Sequence, residues 1–491
     1  MTRRTPAPPE GRLIDAPPFS EGVKPYLENE QLRTNMCHAT QTIRAKRAKV
    51  AAELSNWEEL RAAGEAIKNH TLDHLPFYLA LLEFNLTANG AHVHWAADAD
   101  EACRIVTELV KAEDVDEVVK VKSMVTQEIE LNEALEAAGI ATWETDLAEL
   151  IVQLGHDRPS NILVPAIHRN RDEIREIFLN EMKLYGKPAP EDLDNDPKNL
   201  AAAARAHLRE KFLRAKVAIS GANFCVAETG TLVIVESEGN GRMCLTLPEV
   251  LISVTGIEKL VPSVRDLEVM LQLLPRSSTG ERMNPYTTMW TGVTENDGPQ
   301  EVHVVLVDNG RSMVLDDPVG REALRCIRCA ACMHQCPIYE RVGGHPYGSV
   351  YPGPIGAVLT PQLRGLESAI DQSLPYASTL CGACAEVCPV KIPIPDLLVY
   401  LRHRVVEEQK RGHRGLEQSL MRTAGWAMAK GKRFGRIGAV AGLPRKILRT
   451  DHLSSLPGPG KRWTGARDLR LPAQNNFRAW WKQREKYEKD K

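Results

Sequence analysis

Aromatic residues are scarce, at 5% of 491 positions. A core built from this chain therefore rests on Ala, Leu, Val and Ile. No apolar run approaches the roughly 18 residues that a membrane-crossing helix needs. The opening MTRRTPAPPEGRLIDAPP lacks the apolar stretch of a secretion signal. The expected location is the cytoplasm, where thiols stay reduced. No G-x-G-x-x-G follows a strand-like run and no Walker loop occurs, so neither dinucleotide binding nor nucleotide hydrolysis is indicated. Excess charge of one sign is also missing overall, since the formal net charge is -2. It is unevenly spread, however. From Leu401 to the end there are 23 Lys/Arg against 8 Asp/Glu. That tail lacks the alternation of stacking aromatics and basic groove residues that nucleic acid requires, and no nucleic-acid partner is expected. It suits a partner subunit or the inner membrane face; a merely solvated surface is the other reading.

The length suggests two or three domains. Residues 1–69 read as a Pro-rich, charged arm followed by helices. Over 70–309, strand-like and helix-like segments alternate. HVHWA, VVKVKS, ATWET, NILVPAI and EVHVVLVD read as buried strands, and DADEACRIVTELVKA and TQEIELNEALEAAGI as helices. Asp196-Pro197 reads as a helix cap and start, and Asn240-Gly241 as a hairpin turn. This alternation predicts an α/β layer fold with a largely parallel sheet. Residues 310–405 form a cysteine-bearing unit, and 406–491 a basic region, helical or partly disordered.

What the chain has in plenty is clustered cysteine. Seven of its 11 cysteines lie between 326 and 388. In a cytoplasmic setting this indicates metal ligation rather than disulfides. CIRCAACMHQCP places Cys326, Cys329, Cys332 and Cys336 in the bacterial ferredoxin spacing C-x2-C-x2-C-x3-C-P. Two-residue spacers let the backbone curl around a cluster, while the cysteine before proline points to a second one. STLCGACAEVCP supplies Cys381, Cys384 and Cys388, with Ser378 where a fourth cysteine would stand. Crossed ligation then predicts two iron–sulfur sites. Site one is Cys326, Cys329, Cys332 and Cys388, suited to a 4Fe-4S cluster. Site two is Cys336, Cys381 and Cys384, holding 4Fe-4S or 3Fe-4S. Its fourth position falls to Ser378 as a weak ligand, to an outside group, or to no iron at all. Structural zinc also uses C-x2-C pairs but has no need of a repeated three-cysteine comb ending in C-P. Cys37, Cys103, Cys225 and Cys244 stand alone and read as ordinary core residues.

Other residues admit two readings each. The turn Glu228-Thr229-Gly230 faces a ligand cleft or is a tight turn. Arg242 pairs with a substrate carboxylate or lies in solvent. His92 and His94 share one face of a strand with no third ligand nearby in sequence. His168 ends a presumed strand and lines a cleft or the core. TGIEKL and RSSTGE (Arg276 to Glu281) cradle an anion or form caps and turns. His345, Tyr347 and Tyr351, in the connector between the cysteine runs, shield a cluster or simply pack.

The segments VKSMVTQEIELNEALEAAGI, ATWETDLAELIVQL, RPSNILVPAIH, GANFCVAETGTLVIVESEGNGR, GGHPYGSVYPGPIGAVLTP and LPYASTLCGACAEVCPVKIPIP occur in this order. Together they resemble the lactate utilization protein B family, over roughly residues 30–400. The resemblance implies an α/β LUD domain, similar to the NagB/RpiA/CoA-transferase group, followed by an α-helical ferredoxin-type two-cluster domain. It implies an electron carrier acting while L-lactate becomes pyruvate, alongside two other lactate-utilization subunits. It carries the cluster ligands onto the same seven cysteines; the family's second run also has three. Two rival readings remain: a LUD domain that itself binds and oxidises a 2-hydroxy acid, and a redox sensor.

Overall fold

The computed structural model describes residues 5–6, 9, 12–412, 416–440, 445, 447, 450–465, 467–473 and 477–489. Residues 1–406 pack as one compact unit and 407–491 as another.

The first unit is organised by a six-stranded sheet. Its strands are β1 (His92–Ala96), β2 (Glu117–Lys120), β3 (Ala141–Glu144), β4 (Val217–Ser220), β7 (Val250–Gly256) and β10 (Glu301–Val307), ordered β1-β10-β7-β4-β2-β3. Every pairing is parallel. The central strands β4 and β7 are buried along their whole length, and VLISVTG and EVHVVLV are the near-continuous apolar runs that a parallel sheet covered on both faces demands. A second, four-stranded sheet joins β5 (Phe224–Val226), β6 (Thr231–Glu236), β8 (Leu260–Val261) and β9 (Tyr286–Trp290) in the order β8-β5-β6-β9. The expected α/β layer is thus present.

Local chemistry explains where the sequence reading holds and where it fails. Asp196 accepts from Lys198 N–H, with Pro197 in the first turn, so the helix Pro197–Arg214 starts where expected. Asn240-Gly241 is not a hairpin turn. It opens the helix Asn240–Thr246, because the Glu236 carboxylate accepts from the N–H groups of Gly239, Gly241 and Arg242 and so caps that terminus. NILVPAI forms no strand. The Asn161 carboxamide oxygen accepts from Leu163 and Val164 N–H and folds the chain back, while its amide group donates to Tyr339 Oη. TQEIELNEALEAAGI is two helices, Met124–Glu128 and Leu131–Ala137, broken at Glu130 in the left-handed region.

The cysteine-bearing segment shares a core with the second sheet. Cys329, Cys332, Cys336, Cys384 and Cys388 pack in one cluster with Phe224, Val226, Leu267, Met270 and Leu273. The N-terminal helices Glu30–Ala52 and Trp57–Asp73 close over it. Arg44 donates to His334 O, Arg47 to Val387 O and Arg61 to Cys388 O. The basic unit 407–491 carries the helices Leu416–Met428, Gly431–Val440 and Phe477–Lys489 and a small antiparallel pair, His452–Leu453 with Leu469–Arg470. Trp426, Trp480 and Trp481 are exposed there. Among the described residues no helix is long and apolar enough to cross a membrane.

Sheet and cysteine lobe are locked by buried charge. Arg311, 1% exposed, grips Glu128 with both terminal nitrogens and donates through Nε to Glu258. Tyr351 Oη donates to Glu128 as well. Burial alone would raise the Glu128 carboxyl, but Arg311 and Tyr351 hold it below its usual range. Arg311→Met would remove the cation shared by two buried carboxylates, a loss of about 3–5 kcal/mol. It is expected to lower the thermal midpoint of anaerobically prepared protein by several degrees. A midpoint within about 1 °C of wild type would contradict the network's role.

Candidate metal centre and the adjoining cavity

Both cysteine runs are shaped by left-handed residues followed by a short helix. In the first run Arg328 and Ala330 have positive φ, and the helix Ala331–His334 follows. In the second, Leu380 and Gly382 have positive φ before the helix Ala383–Val387. Backbone N–H groups in the first turn and beyond the last cysteine of each run reach sulfur. Arg328 N–H reaches Cys326 Sγ at 3.4 Å and Ile392 N–H reaches Cys388 Sγ at 3.3 Å. Ile338 and Tyr339 N–H face the Cys336 sulfur.

The seven thiols fall into two sets. Burial raises Cys332 well above its ordinary range, and the neighbours adding to this are chiefly Cys326, Cys329 and Cys388. Cys329 is raised by burial and then by Cys388 and Cys326. A void of about 20 Å³ is lined by Cys326, Cys329, Cys332 and Cys388 together with Ile355, Val390 and Ile392. In the other set, burial pushes Cys384 up to about 12, with Cys336 and Cys381 adding to it. Cys336 and Cys384 are buried while Cys381 is exposed. Ser378 Oγ accepts from Leu380 N–H at 3.1 Å.

Thiols crowded and raised in this way are stable as thiolates only around a cation. The surroundings fit an iron–sulfur cluster. Arg328 Nε and Nη1 and Tyr347 Oη are buried without a hydrogen-bond partner among the described residues. Cys326 borders Arg328, and Cys336 and Cys332 border Tyr347. Those donors are the groups that cluster sulfur accepts from, and all-sulfur ligands behind apolar walls suit iron–sulfur chemistry.

A cavity of about 320 Å³ abuts the first set. Residues just past the carboxyl ends of the parallel strands line it: Lys122 and Ser123 after β2, Gly221 and Asn223 after β4, and Lys259 after β7. From β2 the chain runs outward to the edge strand β3, whereas from β4 it turns the other way to β7. Their shared crevice is therefore the switch point where open α/β sheets hold ligands. Arg328 lines both this cavity and the cysteine void. Burial pulls the Lys259 amine down to about 8, with Arg328 acting the same way and Glu258 and Cys326 opposing. Asp146, Glu236 and Glu238 also line the cavity. Burial and Asp146 raise the Glu238 carboxyl to about 7.

Other candidates lie elsewhere. Glu228, Thr229, Gly230 and Arg242 do not line the cavity. Glu228 is exposed and caps the helix Val264–Ser278 by accepting from Val264 N–H, and Thr229 bonds Thr231. Gly230 has φ +68° and lies so close to the Asn85 and Leu86 backbone that a Cβ would come within 2.8 Å. Arg242 is exposed and its N–H donates to Glu236. By contrast Lys259 from TGIEKL and Ser278 and Thr279 from RSSTGE meet at the cavity. His92 and His94 do find a third imidazole: His303 of β10 stacks on His92 and lies 3.1 Å from His94 Nε2. A search along the sequence misses it because the partner comes from the neighbouring parallel strand. His168 Nε2 donates to the Asp157 carboxylate at 2.8 Å, Arg169 donates to the same oxygen, and the His345 ring packs edge-on against His168 at 4.7 Å. This ties the connector to the α/β lobe. Tyr351 lies under the Arg328 guanidinium. Cys225 and Cys244 are buried core thiols, pushed up to about 12 by burial.

Fold and site together define an α/β domain bearing a ferredoxin-type lobe, and comparison with known families agrees. Residues 79–307 match the LUD domain and residues 322–392 the 4Fe-4S dicluster domain. Full-length relatives make the assignment particular. Lactate utilization protein B of Bacillus subtilis (strain 168) is 42% identical, covering 96% of this chain and 98% of its own. The Bacillus licheniformis protein is 42% identical over 95% and 97%, and that of Shouchella clausii 43% identical over 97% and 98%. The chain belongs to the lactate utilization protein B family. A solved DUF162 family protein from Deinococcus radiodurans, at 14% identity and a TM-score of 0.27, covers 48% of this chain and 98% of that one.

Two outcomes follow from this geometry. Arg328→Met removes a buried cation beside Cys326. It is expected to lower the midpoint potential of a cluster seated there by on the order of tens of millivolts. An unchanged or higher potential in a redox titration would contradict that. Ser378→Ala should leave iron per chain unaltered, because the hydroxyl serves Leu380; loss of iron would make Ser378 a ligand after all.

Proposed function

We propose that this chain is the electron-carrying iron–sulfur subunit of a multi-protein system that oxidises L-lactate to pyruvate. Cys326, Cys329, Cys332 and Cys388 hold a 4Fe-4S cluster. Cys336, Cys381 and Cys384 hold a second, either 4Fe-4S completed by an outside ligand or 3Fe-4S. Bound clusters supply one-electron transfer. The observation that carries this reading is the pairing, inside a single core, of a thiol set with three of its four members buried and a second set that reaches the surface at Cys381.

The chain's own residues prepare both ends. Ile355, Val390 and Ile392 wall the first set from water. Arg47 and Arg61 anchor the second run through its carbonyls and bring positive charge near Cys388. Around Cys381 the half-exposed Tyr376 and Leu380 offer an apolar landing place for a partner. The two other lactate-utilization subunits are the expected partners, with a quinone-linked acceptor downstream. The basic unit suits an acidic partner face or the inner membrane surface.

Variants of the two sets test the partition. In anaerobic protein, Cys329→Ala should abolish one EPR-active centre and spare the other, and Cys384→Ala should do the reverse. L-lactate should reduce both only when the partner subunits are added. Simultaneous loss of both centres in each variant would refute two separate ligand sets. Reduction of the isolated chain by L-lactate would refute a pure carrier.

A further inference from the structure

We infer that the cavity beyond the carboxyl ends of β2, β4 and β7 binds a small 2-hydroxy or 2-oxo carboxylate, its carboxylate group held by Lys259. The inference rests on the lactate reading and adds a ligand site to the carrier, placed against the first cysteine set.

Of four buried cations around Glu258, one is left without a hydrogen-bond acceptor among the described residues. Lys68, Lys259, Arg311 and Arg328 are each less than a tenth exposed. The carboxylates they share are those of Glu128 and Glu258. Glu128 is taken by Arg311, and the two oxygens of Glu258 are taken by Arg311 and Arg328. Lys68 donates to Glu258 O and Leu260 O. Lys259 makes no hydrogen bond among the described residues, although it is only 7% exposed and lines the cavity. Its ammonium opens onto the cavity rather than onto a protein acceptor, and an incoming carboxylate supplies one.

The acidic groups of the cavity do not fill that role. Glu236 is committed to the N–H groups of Gly239, Gly241 and Arg242, Asp146 to those of Ala148 and Glu149, and Glu238 to that of Leu147. Lys122 donates to Leu163 O and neighbours Glu238. These carboxylates disfavour a second negative charge on the ligand, so a monoanion fits better than phosphate. About 320 Å³ accommodates a three- or four-carbon acid with a few waters. Ser123, Ser278 and Asn284 offer hydrogen bonds to its 2-oxygen.

The test uses full-length protein prepared anaerobically with its clusters. Pyruvate, L-lactate, acetate and phosphate are titrated separately by calorimetry, and the EPR spectrum of the reduced protein is recorded with each. Pyruvate or L-lactate should bind saturably and perturb one centre, the one lost in Cys329→Ala. Lys259→Met should weaken that binding by about tenfold or more while iron, sulfide and the ligand-free spectrum match wild type. Absence of saturable binding to intact clustered protein, equal binding of acetate or phosphate, or unchanged affinity in Lys259→Met would each overturn the site. Electron transfer in the assembled system could persist in all three cases, so the carrier role stands or falls separately.

Discussion

Glu258 is buried at the end of β7, and each of its oxygens meets a different arginine. Arg311 comes from the helix after β10, and Arg328 from inside the first cysteine run. Burial alone would make this carboxyl hard to ionise, yet Arg311, Arg328 and Lys259 hold it down to about 2. The parallel sheet and the cysteine loop are thereby fixed to one point. Removal of any member would leave buried charge unanswered, which is why such networks position elements more than they add net stability.

That fixed point decides what can happen around it. The Arg328 side chain borders Cys326, and its body forms a wall of the α/β cavity. One side chain therefore adjoins two chemical compartments. Cations beside a cluster favour its reduced, more negative form, and their burial keeps solvent from screening the effect. The second thiol set reaches the surface at Cys381. A largely buried site near the sheet and a second that opens to solvent is the arrangement expected of a chain through which electrons pass.

Much of this was legible in the sequence where the cause is local. β-Branched runs such as EVHVVLV declare buried parallel strands, and the cysteine spacing declares the ligand comb because spacer length alone sets how thiols converge. What escaped was set by contacts across the fold. Asn240-Gly241 has the composition of a hairpin turn, but the Glu236 carboxylate converts it into a helix start. NILVPAI has strand composition, but Asn161 bonds its own backbone and Tyr339 instead. TGIEKL and RSSTGE looked like loop chemistry; only the topology shows that they meet beside Arg328. Arg328 itself was hidden as a spacer between cysteines.

The central claim is that interlaced cysteines hold two electron-transfer clusters within one core. Potentiometric titration of anaerobically prepared wild-type chain, followed by EPR with iron and sulfide analysis, tests it most directly. The account predicts two paramagnetic centres that each change by one electron, with iron and acid-labile sulfide close to stoichiometric for the pair. Zinc in place of iron, or no paramagnetic signal at any potential, would contradict it.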